Sequence, residues 1–349
     1  MDGHFLLCYC AARRCSLNVE GVEFGHISGG SGVEGFFGRG DEYPHHRLLK
    51  PLGLLGFRGM TFVAKTATLE PNIGNLHVDP KDGVTVHDWQ QECIHVSPTS
   101  WWNDVMLNKV GLTNPGLKAL LERQLWQKRT NPFMISFMSI KPTVEERIRE
   151  LREAVEMLKS YLGSFQAPVL FQENFSCPNV GVDHNEELVD EIRCSYDIIA
   201  RLGVPSFAKV DALTSVYDIM EFSSHRALHG IVTSNAIKFG TVIPGVDWEK
   251  LYGFKTSPLE KVGTAGTGGG GASGAVLFSL VERQVSRLRA IGYTKCIQAG
   301  GGVRTLEHAR RLKAAGADSV FIASAAILAP WSVQSLINDT NRLFSRGAP

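Results

Sequence analysis

The sequence lacks an excess of charge of either sign, and it lacks a long apolar run. Lys and Arg number 36 against 35 Asp and Glu, which gives a formal net charge of +1 at pH 7. This balance provides neither the basic surface of a nucleic-acid-binding protein nor an acidic tail. Residues 5–12 form an apolar run, but spanning a bilayer takes ~20 residues. We therefore predict no nucleic-acid partner and no membrane partner.

Closely spaced cysteine pairs are also absent. The 7 cysteines are irregularly spaced, and no two form a CxxC pair. An odd, irregular set is typical of a reducing compartment and not of a disulfide scaffold. Without CxxC pairs we expect no zinc or iron–sulfur centre, and we predict no metal site. A cytoplasmic location is predicted, with organelle targeting through the acid-poor residues 1–18 as the open alternative.

Glycine, in contrast, is abundant. The 349 residues include 36 glycines, against about 7% in average proteins. A hydrophobic fraction of 44% with 20% charged residues is ordinary for a folded chain. The glycines cluster, which indicates places where the backbone approaches a ligand closely.

Short apolar runs alternate with amphipathic stretches from about residue 60 onward, which is typical of parallel strands joined by helices. The runs predicted as strands are residues 60–66, 104–108, 132–139, 169–176, 206–210, 230–235, 295–301 and 319–325. Eight strands with intervening helices predict an α/β fold, the (β/α)8 TIM barrel. We predict one barrel domain over residues 16–349, a leader over 1–15 that is ordered or disordered, a small hairpin over 16–24, and extended loops after strands 1 and 2.

Helices are predicted where apolar residues recur every three or four positions. The clearest stripe covers residues 143–162 and opens with a capping box formed by Thr143 and Glu146. Further helices are predicted at residues 117–126, 188–202, 281–291, 306–315 and 333–344. Residues 74–102 are too polar and irregular for a simple link, and long links after barrel strands usually carry function.

Polar residues interrupt the apolar runs at the carboxyl ends of the predicted strands, where barrel enzymes build their sites. Lys65 and Thr66 end the first run, and Lys209 ends the fifth. A lysine held there is paired, or it engages an anionic ligand such as a reduced flavin or a sugar phosphate. The alternative is that one of the two lysines extends from a strand end to solvent.

Small residues follow the last two predicted strands. A glycine triplet at 300–302 precedes Thr305, which opens a helix, and Ala323 and Ser324 end the eighth strand. Together they provide backbone N–H groups around one point, as in the phosphate site formed by the seventh and eighth loops of such barrels. A glycine-rich loop at residues 28–32 is a second place where the backbone can approach a flat or anionic ligand.

Two amides and a thiol share one predicted turn over residues 174–179. Asn174 and Asn179 can hold a planar ligand through paired donors and acceptors. The thiol of Cys177 can take a proton if a neighbouring cation lowers its pKa. The alternative is that Cys177 is an inert buried thiol.

In this order the motifs resemble those of the dihydroorotate dehydrogenase family of FMN-dependent (β/α)8 barrels, and the resemblance extends over most of the chain. The segments that carry it are residues 65–70 with 74–75, 108–114, 174–179, Lys209, 234–235, 270–274, and 300–302 with 323–324. The cysteine in the catalytic turn resembles the soluble class of the family.

The resemblance implies an oxidoreductase that acts on a CH–CH bond and oxidises (S)-dihydroorotate to orotate in pyrimidine biosynthesis, with FMN as cofactor. Cys177 would remove a proton from the substrate ring while hydride leaves for flavin N5, Lys209 would stabilise the reduced flavin, and Lys65 would contact both. The implied substrate-binding residues are Asn108, Gly111, Leu112, Asn174, Asn179 and Asn235. The implied FMN-binding residues are Gly30, Ser31, Lys65, Thr66, Lys209, Gly274, Gly301, Gly302, Ala323 and Ser324.

A soluble electron acceptor and a homodimer are further implications of the soluble class. The sequence also departs from the family pattern, mostly on the substrate side. Asn72 stands where the family places a basic residue, Lys109 replaces a small or aromatic one, and Ala236 replaces a hydroxyl residue. Two alternatives therefore stay open: an FMN barrel oxidoreductase acting on a different dihydropyrimidine or a related substrate, and a flavin-free, phosphate-binding isomerase or lyase.

Overall fold

The computed structural model describes residues 17–176, 188–263 and 268–345. The strands are β1 (Asn18–Val19), β2 (Val22–Glu23), β3 (Ile27–Gly29), β4 (Ile94–His95), β5 (Val105–Asn108), β6 (Phe133–Phe137), β7 (Val169–Asn174), β8 (Ser206–Val210), β9 (Gly230–Thr233), β10 (Ile237–Lys238), β11 (Gly271–Gly274), β12 (Cys296–Gly300) and β13 (Ser319–Ile322). The α-helices are α1 (Pro44–Leu49), α2 (Pro98–Trp102), α3 (Leu117–Glu122), α4 (Val144–Leu162), α5 (Leu188–Ile199), α6 (Val216–Phe222), α7 (Trp248–Tyr252), α8 (Ala275–Ala290), α9 (Leu306–Ala315), α10 (Ala325–Leu328) and α11 (Val333–Ser345).

A closed ring of parallel chain segments forms the centre of the fold. Seven strands build one sheet in the order β3-β13-β12-β9-β8-β7-β6. The extended segment 61–67 lies between the two edges of this sheet, because Thr61 bridges to Ser28 of β3 and Val63 bridges to Met134 of β6, both in parallel. The segment is therefore the eighth member of the ring. The predicted α/β barrel is confirmed.

One strand assignment from the sequence is wrong. Residues 104–108 were expected to form the second barrel strand, but β5 belongs to a separate sheet with the order β10-β11-β5-β4, in which all neighbours are antiparallel. The barrel strand that the prediction missed is β3, which has only three residues and includes a serine and a glycine. The apolar residues of β5 are as buried as those of a barrel strand, so composition alone does not separate the two.

Two long connections follow the barrel strand β3 and the segment 61–67, whereas the sequence predicts them after residues 60–66 and 104–108. The first connection carries α1, and the second carries β4, α2, β5 and α3. Both lie at the carboxyl ends of the barrel strands. The small antiparallel sheet and α1 therefore cover the end of the barrel where sites are built.

The predicted amino-terminal hairpin is also confirmed. Strands β1 and β2 pair antiparallel. The apolar side chains Leu17, Val19 and Phe24 are buried against inward-facing residues near the start of the barrel strands, among them Met134 and Phe207. The hairpin thus closes the amino-terminal end, which leaves the carboxyl end as the open one.

The helix predictions hold, with shifted ends. The Thr143 side chain accepts from the Glu146 N–H, and the Glu146 side chain accepts from the Thr143 N–H, so the capping box at the start of α4 is present. Helix α8 begins six residues before the predicted start at 281, directly after Gly274. Among the helices of the described ranges, none is both long enough and apolar enough to cross a membrane.

Candidate functional site

A cavity of about 740 Å³ opens at the carboxyl ends of the barrel strands. Each site residue named from the sequence that falls in the described ranges lines this cavity: Gly30, Ser31, Lys65, Thr66, Asn108, Gly111, Leu112, Asn174, Lys209, Asn235, Gly274, Gly301, Gly302, Ala323 and Ser324. Cys177 and Asn179 lie outside the described residues. The fold thus brings residues from distant parts of the chain to one cavity, and the role of each stays a prediction.

Two lysines contribute positive charge to the cavity wall. Lys65 and Lys209 are both buried, with 8% of each residue exposed. The Lys65 ammonium donates to the carbonyl oxygen of Thr113 and lies 5.0 Å from the ring centroid of Phe36. Lys209 pairs in register with Val232, whose side chain packs inside the barrel, so the lysine also faces inward. Buried ammonium groups on a cavity wall favour a ligand that carries or develops negative charge.

Two amides form a polar part of the cavity lining. Asn174 ends β7 and Asn235 follows β9, and the Asn235 Nδ2 donates to the Asn174 Oδ1 at 2.9 Å. The same Asn174 oxygen accepts from the backbone N–H of Ser176 at 3.3 Å. The Asn235 oxygen accepts from the N–H of Ala236 at 3.1 Å. Each amide is therefore held in one orientation before any ligand arrives.

A chain of hydroxyl groups links the barrel interior to the cavity. Gln172 Nε2 donates to Ser136 Oγ at 2.9 Å, and this oxygen lies 2.9 Å from Thr66 Oγ1. Thr66 Oγ1 lies 2.8 Å from Ser31 Oγ, which donates to the Ala64 carbonyl oxygen at 3.0 Å. The chain fixes both cavity-lining hydroxyls, Ser31 and Thr66, because each has a partner on either side.

The glycines after β12 form a cradle that a side chain would fill. Gly302 has a φ of +73°, and a Cβ added to it would lie 2.6 Å from the Gly274 carbonyl oxygen. A Cβ on Gly30 would lie 2.9 Å from the Cβ of Ala323. The backbone must therefore stay bare at these positions for the wall to keep its shape.

Donor groups in the cradle are available to a ligand. In residues 17–176, 188–263 and 268–345, the backbone N–H groups of Gly301, Gly302, Ala323 and Ser324 donate to no acceptor. The hydroxyl oxygen of Ser234, which is 3% exposed, also has no partner there. Several backbone donors without an acceptor, on glycines and small residues that line the same cavity, match the oxygens of a phosphate group. The residues present therefore fit the phosphate end of FMN.

The sequence did not predict the roof of the cavity, which comes from the two long connections. Helix α1 and the residue before it contribute Tyr43, Pro44, His45 and Leu49. The segment 86–96 contributes Val86, Asp88, Trp89, Gln90, Gln91, Ile94, His95 and Val96. Tyr43 stacks on His45 with ring centroids 5.6 Å apart, and its hydroxyl donates to the Gly32 carbonyl at 2.8 Å. The sequence signal that could have indicated this roof was the presence of aromatic residues, such as Trp89, in the polar and irregular segment 74–102.

The roof histidines are uncharged at neutral pH. Burial, with a smaller contribution from Arg47, lowers the pKa of His45 to about 4. Burial also lowers the pKa of His95. Neutral histidines, Trp89 and Ile94 make part of the roof lining apolar and aromatic, while Asp88, Gln90 and Gln91 are polar. The two lysines lie on the barrel wall.

Comparison with solved structures gives the same architecture. The sequence matches no protein-family model and no curated protein. The structure is similar to that of DHODH, dihydroorotate dehydrogenase, from Eimeria tenella in complex with ferulenol, with a TM-score of 0.64 and 16% identity over 95% of this chain and 84% of that one. It is also similar to ligand-free DHODH from Eimeria tenella, with a TM-score of 0.62 and 18% identity over 93% and 86% of the two chains. The class of fold is thus the α/β barrel, and the particular form of it is the DHODH barrel.

Proposed function

We propose that the protein is an FMN-dependent oxidoreductase that acts on a CH–CH bond and oxidises (S)-dihydroorotate to orotate in pyrimidine biosynthesis. The observation that carries the proposal is the shared cavity: lysines, asparagines and glycines named separately from sequence motifs line one cavity at the open end of the barrel. Motifs that matched by chance would not be expected to meet in this way.

The cofactor half of the proposal rests on the cradle and the lysines. Backbone groups of Gly301, Gly302, Ala323 and Ser324 would bind the FMN phosphate, while Gly30, Ser31, Thr66 and Gly274 would bind the rest of the molecule. FMN, when bound, supplies the ring that accepts a hydride. Lys209 and Lys65 would offset the negative charge that the ring gains on reduction.

The substrate half rests on the oriented amides. Asn174 and Asn235, together with Asn108, offer donors and acceptors to the edge of a planar ring and its carboxylate. The backbone of Gly111 and Leu112 lines the same space. Asn179 completes the proposed set. These groups would hold the substrate with the reacting carbon facing the base.

Cys177 is the proposed base. Its thiolate would take the proton at Sγ while a hydride leaves the adjacent ring carbon, so that a C=C bond forms and the substrate loses two electrons in total. Ser176, the residue before it, donates its hydroxyl to the carbonyl oxygen of Lys209 at 3.4 Å. The proposed base therefore comes directly after Ser176, which is hydrogen-bonded to Lys209, a residue proposed to bind the cofactor.

The acceptor that reoxidises the flavin is proposed to be a soluble small molecule, and the protein is proposed to act as a cytoplasmic homodimer. The acceptor would reach the flavin through the cavity mouth, past the roof. Anaerobically reduced protein can be mixed with fumarate, NAD⁺ or a soluble quinone. Return of flavin absorbance with one of the three would identify the acceptor class, and return with none would reject a small soluble acceptor.

Flavin absorbance tests the function itself. The purified protein is expected to carry the near-ultraviolet and blue bands of flavin, and anaerobic dihydroorotate is expected to bleach them. Cys177→Ala should keep the bands and lose at least about 99% of the bleaching rate, because general-base catalysis contributes ~10²–10⁴-fold. Cys194→Ala, at an exposed free cysteine, is the matched control. Bleaching of Cys177→Ala at the wild-type rate would refute the base assignment.

A second candidate function is that of an FMN barrel oxidoreductase acting on a different dihydropyrimidine or a related substrate. It is favoured by Ala236, which lines the cavity beside the substrate asparagine and offers no hydroxyl. Bleaching by dihydrouracil but not by dihydroorotate would select this candidate. A protein purified without flavin, and unable to bind added FMN, would instead favour the flavin-free isomerase or lyase.

A further inference from the structure

The loop at residues 108–114 contains a leucine in a backbone conformation that its side chain disfavours. Gly111 and Leu112 have φ values of +66° and +55°. This is the left-handed region, where a leucine side chain is strained. Leu112 nevertheless lines the cavity together with Gly111. Such a conformation persists only where the surroundings hold it.

Asn72 holds the loop from one side. Its Nδ2 donates to the Gly111 carbonyl oxygen at 2.7 Å and to the Leu112 carbonyl oxygen at 3.2 Å. Its backbone N–H and carbonyl pair with those of Asn114 at 2.9 and 2.8 Å. A single amide thus binds the carbonyls of both residues that have left-handed φ. A basic side chain at this position, as in the family pattern, is not needed for that contact.

Lys109 holds the loop from the other side. Its side chain is buried at 3% exposure, and its Nζ lies 3.3 Å from the Leu259 carbonyl oxygen and 3.5 Å from that of Glu260. Its own N–H donates to the Cys93 carbonyl at 2.7 Å. The ammonium therefore joins the loop to the turn at residues 259–260.

We propose that Asn72 and Lys109 are positioning residues that together fix the Gly111–Leu112 backbone in the orientation that faces the cavity. The cavity wall that the structure describes includes neither residue, so both would act on a ligand only through the loop. Their role in substrate affinity rests on the proposed function, whereas their role in holding the loop does not.

The chain offers a matched control for each residue. Asn72→Asp keeps the shape of the side chain and removes both N–H donors, and Lys109→Met keeps the length and removes the ammonium. Asn103 also donates to two backbone carbonyls, those of Lys250 and Leu251, so Asn103→Asp is the control for Asn72. Lys295 donates to the carbonyls of His225 and Leu228, so Lys295→Met is the control for Lys109. Neither control residue lines the described cavity wall.

The first measurement is hydrogen–deuterium exchange of the loop in the unliganded protein. We expect peptides covering residues 108–114 to exchange at least about tenfold faster in Asn72→Asp and in Lys109→Met, with barrel peptides unchanged and with no change at the loop in either control. Unchanged exchange at the loop, or equal acceleration in the controls, would overturn the proposal. This readout needs neither flavin nor substrate, so it decides the proposal even if the proposed function fails.

The second measurement is titration of the flavin-loaded protein with orotate and reduction with dihydroorotate. We expect the half-saturating concentration to rise at least about tenfold in each variant, and FMN content and the reduction rate at saturation to stay within about threefold of wild type. The double variant should lose less than the product of the single losses, because both residues hold the same loop. Reduced FMN content with unchanged affinity would overturn the positioning role. If Lys109→Met does not fold, Asn72→Asp decides the outcome alone.

Discussion

Replacing Gly302 by alanine provides a direct test of the cradle. The added Cβ would lie 2.6 Å from the Gly274 carbonyl oxygen, 2.9 Å from the Gly274 carbonyl carbon and 3.1 Å from the Ala275 Cα. All three are backbone atoms, so no side chain can rotate away to relieve the contact. The segment carrying the Gly301 and Gly302 N–H groups must therefore move out of position. Each hydrogen bond lost to a charged group costs about 1.5–3 kcal/mol.

Loss of one or two such bonds predicts an FMN dissociation constant raised between about tenfold and about twenty-thousandfold. Flavin content after purification and titration of the flavin-free protein with FMN measure the change. Gly292→Ala is the control, because Gly292 has a φ of +93° but no atom within 4 Å of its added Cβ. Both variants carry the strain of alanine at positive φ, so only a difference between them reports on the cradle. Wild-type FMN affinity in Gly302→Ala would refute the proposed phosphate site.

Three further predictions concern stability. Burial raises the pKa of Glu34 from its ordinary 4.5 to about 7, so the folded state keeps a proton that the unfolded chain releases. The contribution of Glu34 to the free energy of unfolding is therefore fully present below pH 4.5 and is lost as the pH rises to 7 and above. The loss is about 3 kcal/mol. Glu34→Gln should reduce the difference in unfolding free energy between pH 5 and pH 8, measured with urea, by about 2–3 kcal/mol, and an unchanged difference would contradict the shift. Arg147→Met should cost about 3–5 kcal/mol in urea unfolding, because it leaves the Glu191 carboxylate buried without the bonds it receives at 2.6 and 2.7 Å; a cost below about 1 kcal/mol would be inconsistent with a buried pair. Thr143→Ala should lower the free energy of unfolding by about 1 kcal/mol through loss of the α4 cap, and no change would mean that the cap is not formed in solution.

The predicted site depended on position in the sequence more than on residue type. Lys65, Asn174, Lys209 and the 300–302 glycines were selected because each follows a strand-like run, and carboxyl ends of parallel strands meet at one end of a barrel. That reasoning still holds although residues 104–108 do not form the second barrel strand. Asn108 ends β5, which is not a barrel strand, and it still lines the cavity, because β5 belongs to the small sheet that covers the same end.

The sequence alone predicted the barrel, the hairpin, the positions of most helices and part of the cavity lining, because periodicity and capping act over a few neighbouring residues. Tertiary structure decided which strands pair. The apolar run of β5 has the composition of a barrel strand, while β3 is too short to show a pattern, and only contacts between distant segments separate them. Tertiary structure also brought α1 and residues 86–96 over the cavity and directed the Lys109 ammonium to the carbonyls at 259 and 260. The burial and orientation of a loop side chain depend on the distant segments that pack against the loop. A local sequence pattern carries no information about those segments.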